Sequence, residues 1–182
     1  MAERITKAEK ADLEIVIPAA SFHDIIVYPK YDPRSKTETD ESAEYAAKIL
    51  ESIKGFPKSK IEKVKIAIRQ CSFSKGIMPD LLEAKILQDA DRLEATGAIS
   101  IMRTFSSSGQ WKRPFYHPTD PFWKKRNPDA HQYALDLFPV RLLQVERSMH
   151  TKLAKAIAKR RTQFLRKFLK EFELELKEID SK

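Results

Sequence analysis

Apolar residues return at helical spacing in segment after segment, and no stretch alternates with the period of two that marks a strand. A first helical stretch spans 2–28, with Leu13, Ile17 and Ala20 on one face, and ends near Tyr28-Pro29. Pro18 should kink it or split it in two. Residues 29–40 are polar and contain proline, which predicts a loop. Thr39-Asp40-Glu41-Ser42 starts the next helix, Ala43, Ala46, Ala47 and Leu50 form its buried side, and Gly55-Phe56-Pro57 ends it. A helix over 59–70 carries the stripe Ile61, Val64, Ala67 and Ile68. After a turn at 72–79, a helix over 80–95 puts Leu82, Ile86, Ala90 and Leu93 on one face. Gly97 marks a break or a close packing point before a helical continuation over 99–105.

Residues 106–128 read differently. They hold three consecutive serines, Pro114, Pro118, Pro121 and Pro128, and both tryptophans, which predicts a long loop with aromatic anchors. Residues 130–179 read as strongly helical, with Met149, Leu153, Ile157, Phe164, Phe168 and Phe172 on the apolar side. The composition shift divides the chain into a helical core over 1–128 and a helical extension over 129–182 that packs on it. The fold class is all-α: a helical bundle with a long C-terminal amphipathic helix. Only four glycines among 182 residues agree with that.

A single cysteine, Cys71, excludes an internal disulfide framework and a multi-cysteine zinc site. It suits a reducing compartment, so a cytoplasmic location is expected. No apolar run is long enough to span a bilayer, and the charged start lacks the apolar core of a signal peptide. The net charge of +8 is local: residues 147–170 hold nine Lys or Arg and no acid. Such a stripe fits nucleic acid, an acidic partner or a solvated helix face, and no nucleic-acid fold fingerprint accompanies it.

Three places could carry chemistry: His23-Asp24, Asp89-Ala90-Asp91-Arg92, and Ser72-Phe73-Ser74-Lys75-Gly76. His23-Asp24 is flanked by Ile15 to Phe22 and by Ile25 to Val27, nearly apolar on all sides, where a charge is costly unless paired or metal-bound. His and Asp together suit a divalent ion, with a third carboxylate from another helix such as Asp91. The alternative has His23 bonded to a backbone carbonyl and Asp24 paired with Lys30 or Arg92.

The run Ala19-Ala20-Ser21-Phe22-His23-Asp24-Ile25, together with Glu83-Ala84-Lys85-Ile86-Leu87-Gln88-Asp89-Ala90-Asp91-Arg92-Leu93, resembles the HD superfamily, in its small bacterial and archaeal phosphohydrolase branch. Glu41-Ser42-Ala43, the Ser72-Phe73-Ser74 turn, Gly97-Ala98-Ile99 and Arg103-Thr104-Phe105 extend the similarity over about residues 10–125. The resemblance implies a helical bundle around a divalent ion (Mn, Mg, Zn or Fe). It assigns His23, Asp24 and Asp91 as ligands, with Asp24 and Asp91 catalytic. Residues two apart on a helix sit about 200° around its axis, so only one of Asp89 and Asp91 points at a given metal, and Asp89 is the reserve. Lys75, Arg92 and Arg103 are candidate phosphate contacts. Trp111, Tyr116, His117, Phe122 and Trp123 either line a nucleobase pocket or anchor their loop.

The sequence departs from the family at two points. No histidine precedes His23, although the family draws one ligand from the helix before the His-Asp pair. Either Met1 lies downstream of the natural start or that ligand is lost. Cys71 stands where relatives commonly have histidine, as a soft ligand or as a small buried side chain. The expected function is hydrolysis of a nucleotide or other small phosphate ester. The alternatives are a non-catalytic relative that binds a nucleotide or protein partner, and an anionic-partner or nucleic-acid binder using the basic C-terminal helix. A homo-oligomer is compatible with all three.

Overall fold

The computed structural model describes residues 1–29 and 32–180. They form eight α-helices with short 3₁₀ turns between them, and no strand is present among them. The chain divides into two compact units, Met1–Asp91 with His150–Ala154, and Arg92–Met149 with Lys155–Lys182.

The first unit contains α1 (Ala2–Glu9), α2 (Leu13–Phe22), α3 (Glu38–Ser52), α4 (Ile61–Arg69) and most of α5 (Leu82–Arg92). Its core is built from short side chains. Ala43, Ala46 and Ala47 on α3 meet Ile61, Val64, Ala67 and Ile68 on α4, with Ile15 and Ala19 of α2, all buried. Alanines let helix axes approach closely, and each fully buried Ile adds roughly 2 kcal/mol. The stripes expected for α3 and α4 are those observed. On α5, Ile86 and Ala90 are buried, as is Leu93 in the 3₁₀ turn that follows, whereas Leu82 is 40 % exposed in the first turn.

The first helical stretch breaks elsewhere than at Pro18, which lies inside α2. The break is at Lys10, which takes a left-handed φ of 56°, and at Asp12, whose carboxylate caps α2 by accepting the Glu14 amide at 2.9 Å. Local capping chemistry overrides the continuous apolar pattern there. The stretch also ends six residues early, at Phe22 instead of near Tyr28.

The second unit contains α6 (Ala98–Gln110), α7 (Leu137–Val140) and most of α8 (Lys152–Asp180). α6 runs through the three serines that were expected in a loop. Ser107 and Ser108 donate back to the carbonyls of Arg103 (2.8 Å) and Thr104 (2.7 Å), satisfying their hydroxyls within the helix. Residues 111–136 form an anchored loop. Leu135 N donates to Phe115 O at 2.8 Å and Ala134 N to Pro114 O at 3.0 Å. Tyr116, Phe122 and Trp123 pack with buried Leu135, Phe138, Leu142 and Leu165, and Phe138 and Phe168 stack at 5.8 Å. These aromatics hold the loop in place; Trp111, by contrast, is 63 % exposed.

Residues 130–151, expected to be helical, instead contain turns, one-turn α7 and a 3₁₀ segment, Leu142–Ser148. Buried Asp136 accepts hydrogen bonds from Trp123 Nε1 and the Asp129 amide, both at 2.6 Å, and from both Arg126 terminal nitrogens. That demand bends 126–136 into a clamp. On α8 Leu165, not Phe164, is fully buried, because a strict four-residue spacing drifts off the face of a helix with 3.6 residues per turn.

Candidate active site

α2 buries Ile15 and Ala19 and stops at Phe22, which leaves His23 as its C-terminal cap with helical φ and ψ of −61° and −29°. Ile25 N donates to Phe22 O at 3.1 Å, closing a turn that presents Asp24. Buried Ser42 on α3 fixes the exit, since its hydroxyl accepts the Ile26 amide at 3.2 Å and donates to Ile26 O at 3.4 Å. Two helices thus hold the His23-Asp24 turn from either side.

His23 Nδ1 lies 2.9 Å from the Ala20 carbonyl. A carbonyl only accepts, so Nδ1 donates to it, and in the neutral ring the lone pair is then on Nε2. Nε2 sits 3.4 Å from Asp24 Oδ2, and the two side chains are 22 % and 72 % exposed. The carbonyl bond is the arrangement that fixes the tautomer of metal-binding histidines. Two donors each about 2.1 Å from a tetrahedral ion stand roughly 3.4 Å apart, so this pair fits a shared cation. The negative end of the α2 dipole favours positive charge at the same place. The expected burial of Asp24 is not met, although the expected bond of His23 to a backbone carbonyl is. Ile17 and Ile25 are each 40 % exposed and Val27 66 %, so solvent reaches the turn. Lys30 lies outside the described residues.

The two α5 aspartates differ completely. Asp89 is fully buried, and its carboxylate accepts the His150 amide (2.8 Å), the Thr151 amide (2.8 Å) and the Thr151 hydroxyl (2.7 Å). Thr151 in turn accepts the Ala154 amide at 3.4 Å, so Asp89 anchors the N-terminal cap of α8. Asp91 is exposed in the last turn of α5. Cys71 lies in the alanine-rich core. Burial pushes its thiol up to about 12, and the nearby Asp24 and Asp91 carboxylates push the same way. Both carboxylates therefore act on one buried point, and the protonated thiol belongs to the core. Among the described residues, no three of His, Cys, Asp and Glu are gathered as a ligand set.

The three expected phosphate contacts are all held by protein groups. Lys75 Nζ donates to Lys36 O and Thr39 Oγ1, each at 2.8 Å. Arg92 Nε donates to Ser148 Oγ at 2.8 Å, and Arg103 pairs with Glu94 at 3.0 Å. The sequence reading missed the supports Ser42 and His150. His150 Nε2 lies 2.6 Å from Oε1 of buried Gln88. The His150-Thr151 pair ahead of a long helical run was the available signal, since it reads as a cap.

Residues 1–96 match the HD domain family model. The whole chain is 30 % identical, over 187 residues, to the uncharacterized protein YpgQ of Bacillus subtilis, covering 82 % of that protein. The crystal structure of YpgQ in complex with ADP superposes with a TM-score of 0.69 at 28 % identity, covering 96 % of this chain and 80 % of that one. A Bacillus thuringiensis structure described as an HD-superfamily hydrolase gives a TM-score of 0.75 at 28 % identity, covering 97 % and 81 %. Among the described residues no helix is long and apolar enough to cross a membrane. From the matched segment and the full-length likeness together, the chain belongs to the HD-domain family.

Proposed function

We propose that this chain is a metal-dependent phosphohydrolase that acts on a nucleotide or another small phosphate ester. The observation that carries the proposal is the His23 ring, locked by Ala20 so that its free Nε2 faces Asp24 at 3.4 Å. His23 and Asp24 would hold a divalent cation, and Asp91 would complete the protein ligands. A cation bound there supplies Lewis acidity towards a phosphate oxygen and lowers the pKa of an attacking water. Ala20 and Ser42 keep the His23-Asp24 turn in register; a carboxylate oxygen of Asp24 or Asp91 would take the proton of the water that attacks phosphorus and return it to the ester oxygen that departs as its P–O bond breaks. Lys75 bonds only to neutral acceptors, Lys36 O and Thr39 Oγ1, and is the foremost candidate to meet substrate phosphate. The nucleotide class is supported by the ADP complex of YpgQ.

A second reading, a nucleotide-binding relative without catalysis, is favoured by Cys71, whose thiol is buried in the core and held protonated instead of serving as a ligand. Phosphate release from nucleoside mono-, di- and triphosphates with Mn, Mg or Zn separates the two. The proposal expects metal-dependent release that falls at least about 100-fold in Asp24→Asn and in Asp91→Asn. Nucleotide binding with no release under any metal selects the non-catalytic reading. Release unchanged in both variants rejects the site.

A further inference from the structure

The second unit carries a groove of about 510 Å³ between the start of α6 and the middle of α8. That is the size of a small-molecule site. Its lining includes Arg160, Arg161 and Lys167 and not a single acid. His23, Asp24 and Asp91 all belong to the first unit, and none of them lines it.

The cations are arranged, not merely present. Gly97 has a φ of 92° and no side chain, and a Cβ there would stand 3.0–3.2 Å from the Arg161 side chain. Arg161 lies over this bare backbone and donates to the Leu93 carbonyl, which fixes its guanidinium at the groove. Burial and then the neighbouring Arg160 charge press the Arg161 guanidinium below its ordinary range, a strain that an anion would relieve. Glu94, the acid that acts on Arg161, is already paired with Arg103 at 3.0 Å.

Two further features point to an anion. No side chain caps the first turn of α6, so the positive end of its dipole is left to the groove. Thr96 lines the groove, is 1 % exposed, and its hydroxyl has no hydrogen-bond partner among the described residues. A buried hydroxyl without a partner is costly unless something else supplies the bond. Apolar surface lies beside these cations: Phe164, on α8 within four residues of each of them, is 45 % exposed, and Ile99 on α6 is 63 % exposed. A bare phosphate would leave that apolar surface unused, whereas a phosphate attached to a flat ring uses both.

We propose that this groove is a second ligand site that takes a nucleotide-sized phosphate ester, with its phosphates on Arg160, Arg161 and Lys167 and its base against Ile99 and Phe164. Two charge-assisted contacts each contribute about tenfold in affinity, so their joint loss is large. Arg160 and Lys167 are exposed on α8, and substituting them leaves the core untouched.

The test uses the full chain carrying Asp24→Asn and Asp91→Asn, in a chelator, so that the HD centre contributes nothing. Calorimetric titration with ADP, adenosine and inorganic pyrophosphate follows. ADP binding is expected to persist in this background and to weaken at least about tenfold on adding Arg160→Gln with Lys167→Gln. Adenosine should bind at least about tenfold more weakly than ADP. Thr96→Val should weaken ADP and leave the melting temperature equal or higher. The proposal is overturned by no ADP binding in this background, by ADP binding that survives the double substitution, or by adenosine binding as well as ADP. It is equally overturned if a single-stranded RNA oligonucleotide loses affinity in the double variant while ADP does not, which would make the groove part of a nucleic-acid surface.

Discussion

Asp136 and Asp24 are both carboxylates set beside a nitrogen-bearing partner, and the fold treats them in opposite ways. Asp136 is fully buried and saturated by Trp123, Arg126 and the Asp129 amide. Burial alone would raise its pKa, but Arg126, that amide and Trp123 outweigh burial and hold it below the ordinary carboxylate range. Asp24 is 72 % exposed and faces one histidine nitrogen at 3.4 Å. Every acceptor site on the first is used in holding a loop. The second keeps acceptor capacity that a cation can use. Two residues apart on α5, burial differs in the same way: Asp89 is buried and caps α8, whereas Asp91 is exposed.

The largest effect that sharpens this contrast is expected at the clamp. Asp136→Ala strands the Arg126 guanidinium, only 18 % exposed, and should cost about 3–5 kcal/mol in urea unfolding. A folded-state pKa below the unfolded value means that the stabilisation is complete above about pH 4 and drains away as pH falls through that range. Asp136→Asn should therefore flatten the acid limb of the stability profile.

Next, Asp89→Ala removes three hydrogen bonds at the α8 cap and should cost about 2–4 kcal/mol. Asp91→Ala and His23→Ala should leave the melting temperature of the metal-free chain close to wild type. An Asp91 variant as unstable as the Asp89 one would break the comparison. Smaller again, Gly97→Ala forces a side chain into a left-handed backbone against Arg161 and should cost about 1–3 kcal/mol in the same assay. The smallest signal is chemical: with its thiol pushed to about 12, Cys71 should resist iodoacetamide at neutral pH and react once the chain unfolds. Rapid alkylation of the folded protein would contradict its place in the core.

How much of this was legible depended on whether local pattern or distant partners decide a segment. The Ala43–Leu50 and Ile61–Ile68 stripes were readable because each helix buries one face and little else acts on it. The clamp at 126–136 was not, because Asp136 draws Trp123 and Arg126 to it across 10–13 residues and no periodicity records that. The serines of α6 misled because a loop composition is compatible with a helix when the hydroxyls bond back one turn. At the site, helical spacing separated Asp89 from Asp91, whereas the His23-Asp24 pair and the preference for Asp91 came from the family resemblance. The supporting Ser42 and His150 were not legible, since each acts through a partner 16 or more residues away.

Whether His23, Asp24 and Asp91 hold a cation is answered directly by elemental mass spectrometry of the purified chain after incubation with Mn, Zn or Mg. It should find about one ion per chain, retained in a well-folded Lys75→Ala control and lost in Asp91→Ala. No ion under any of these conditions, or an ion that survives both Asp24→Ala and Asp91→Ala, would contradict it.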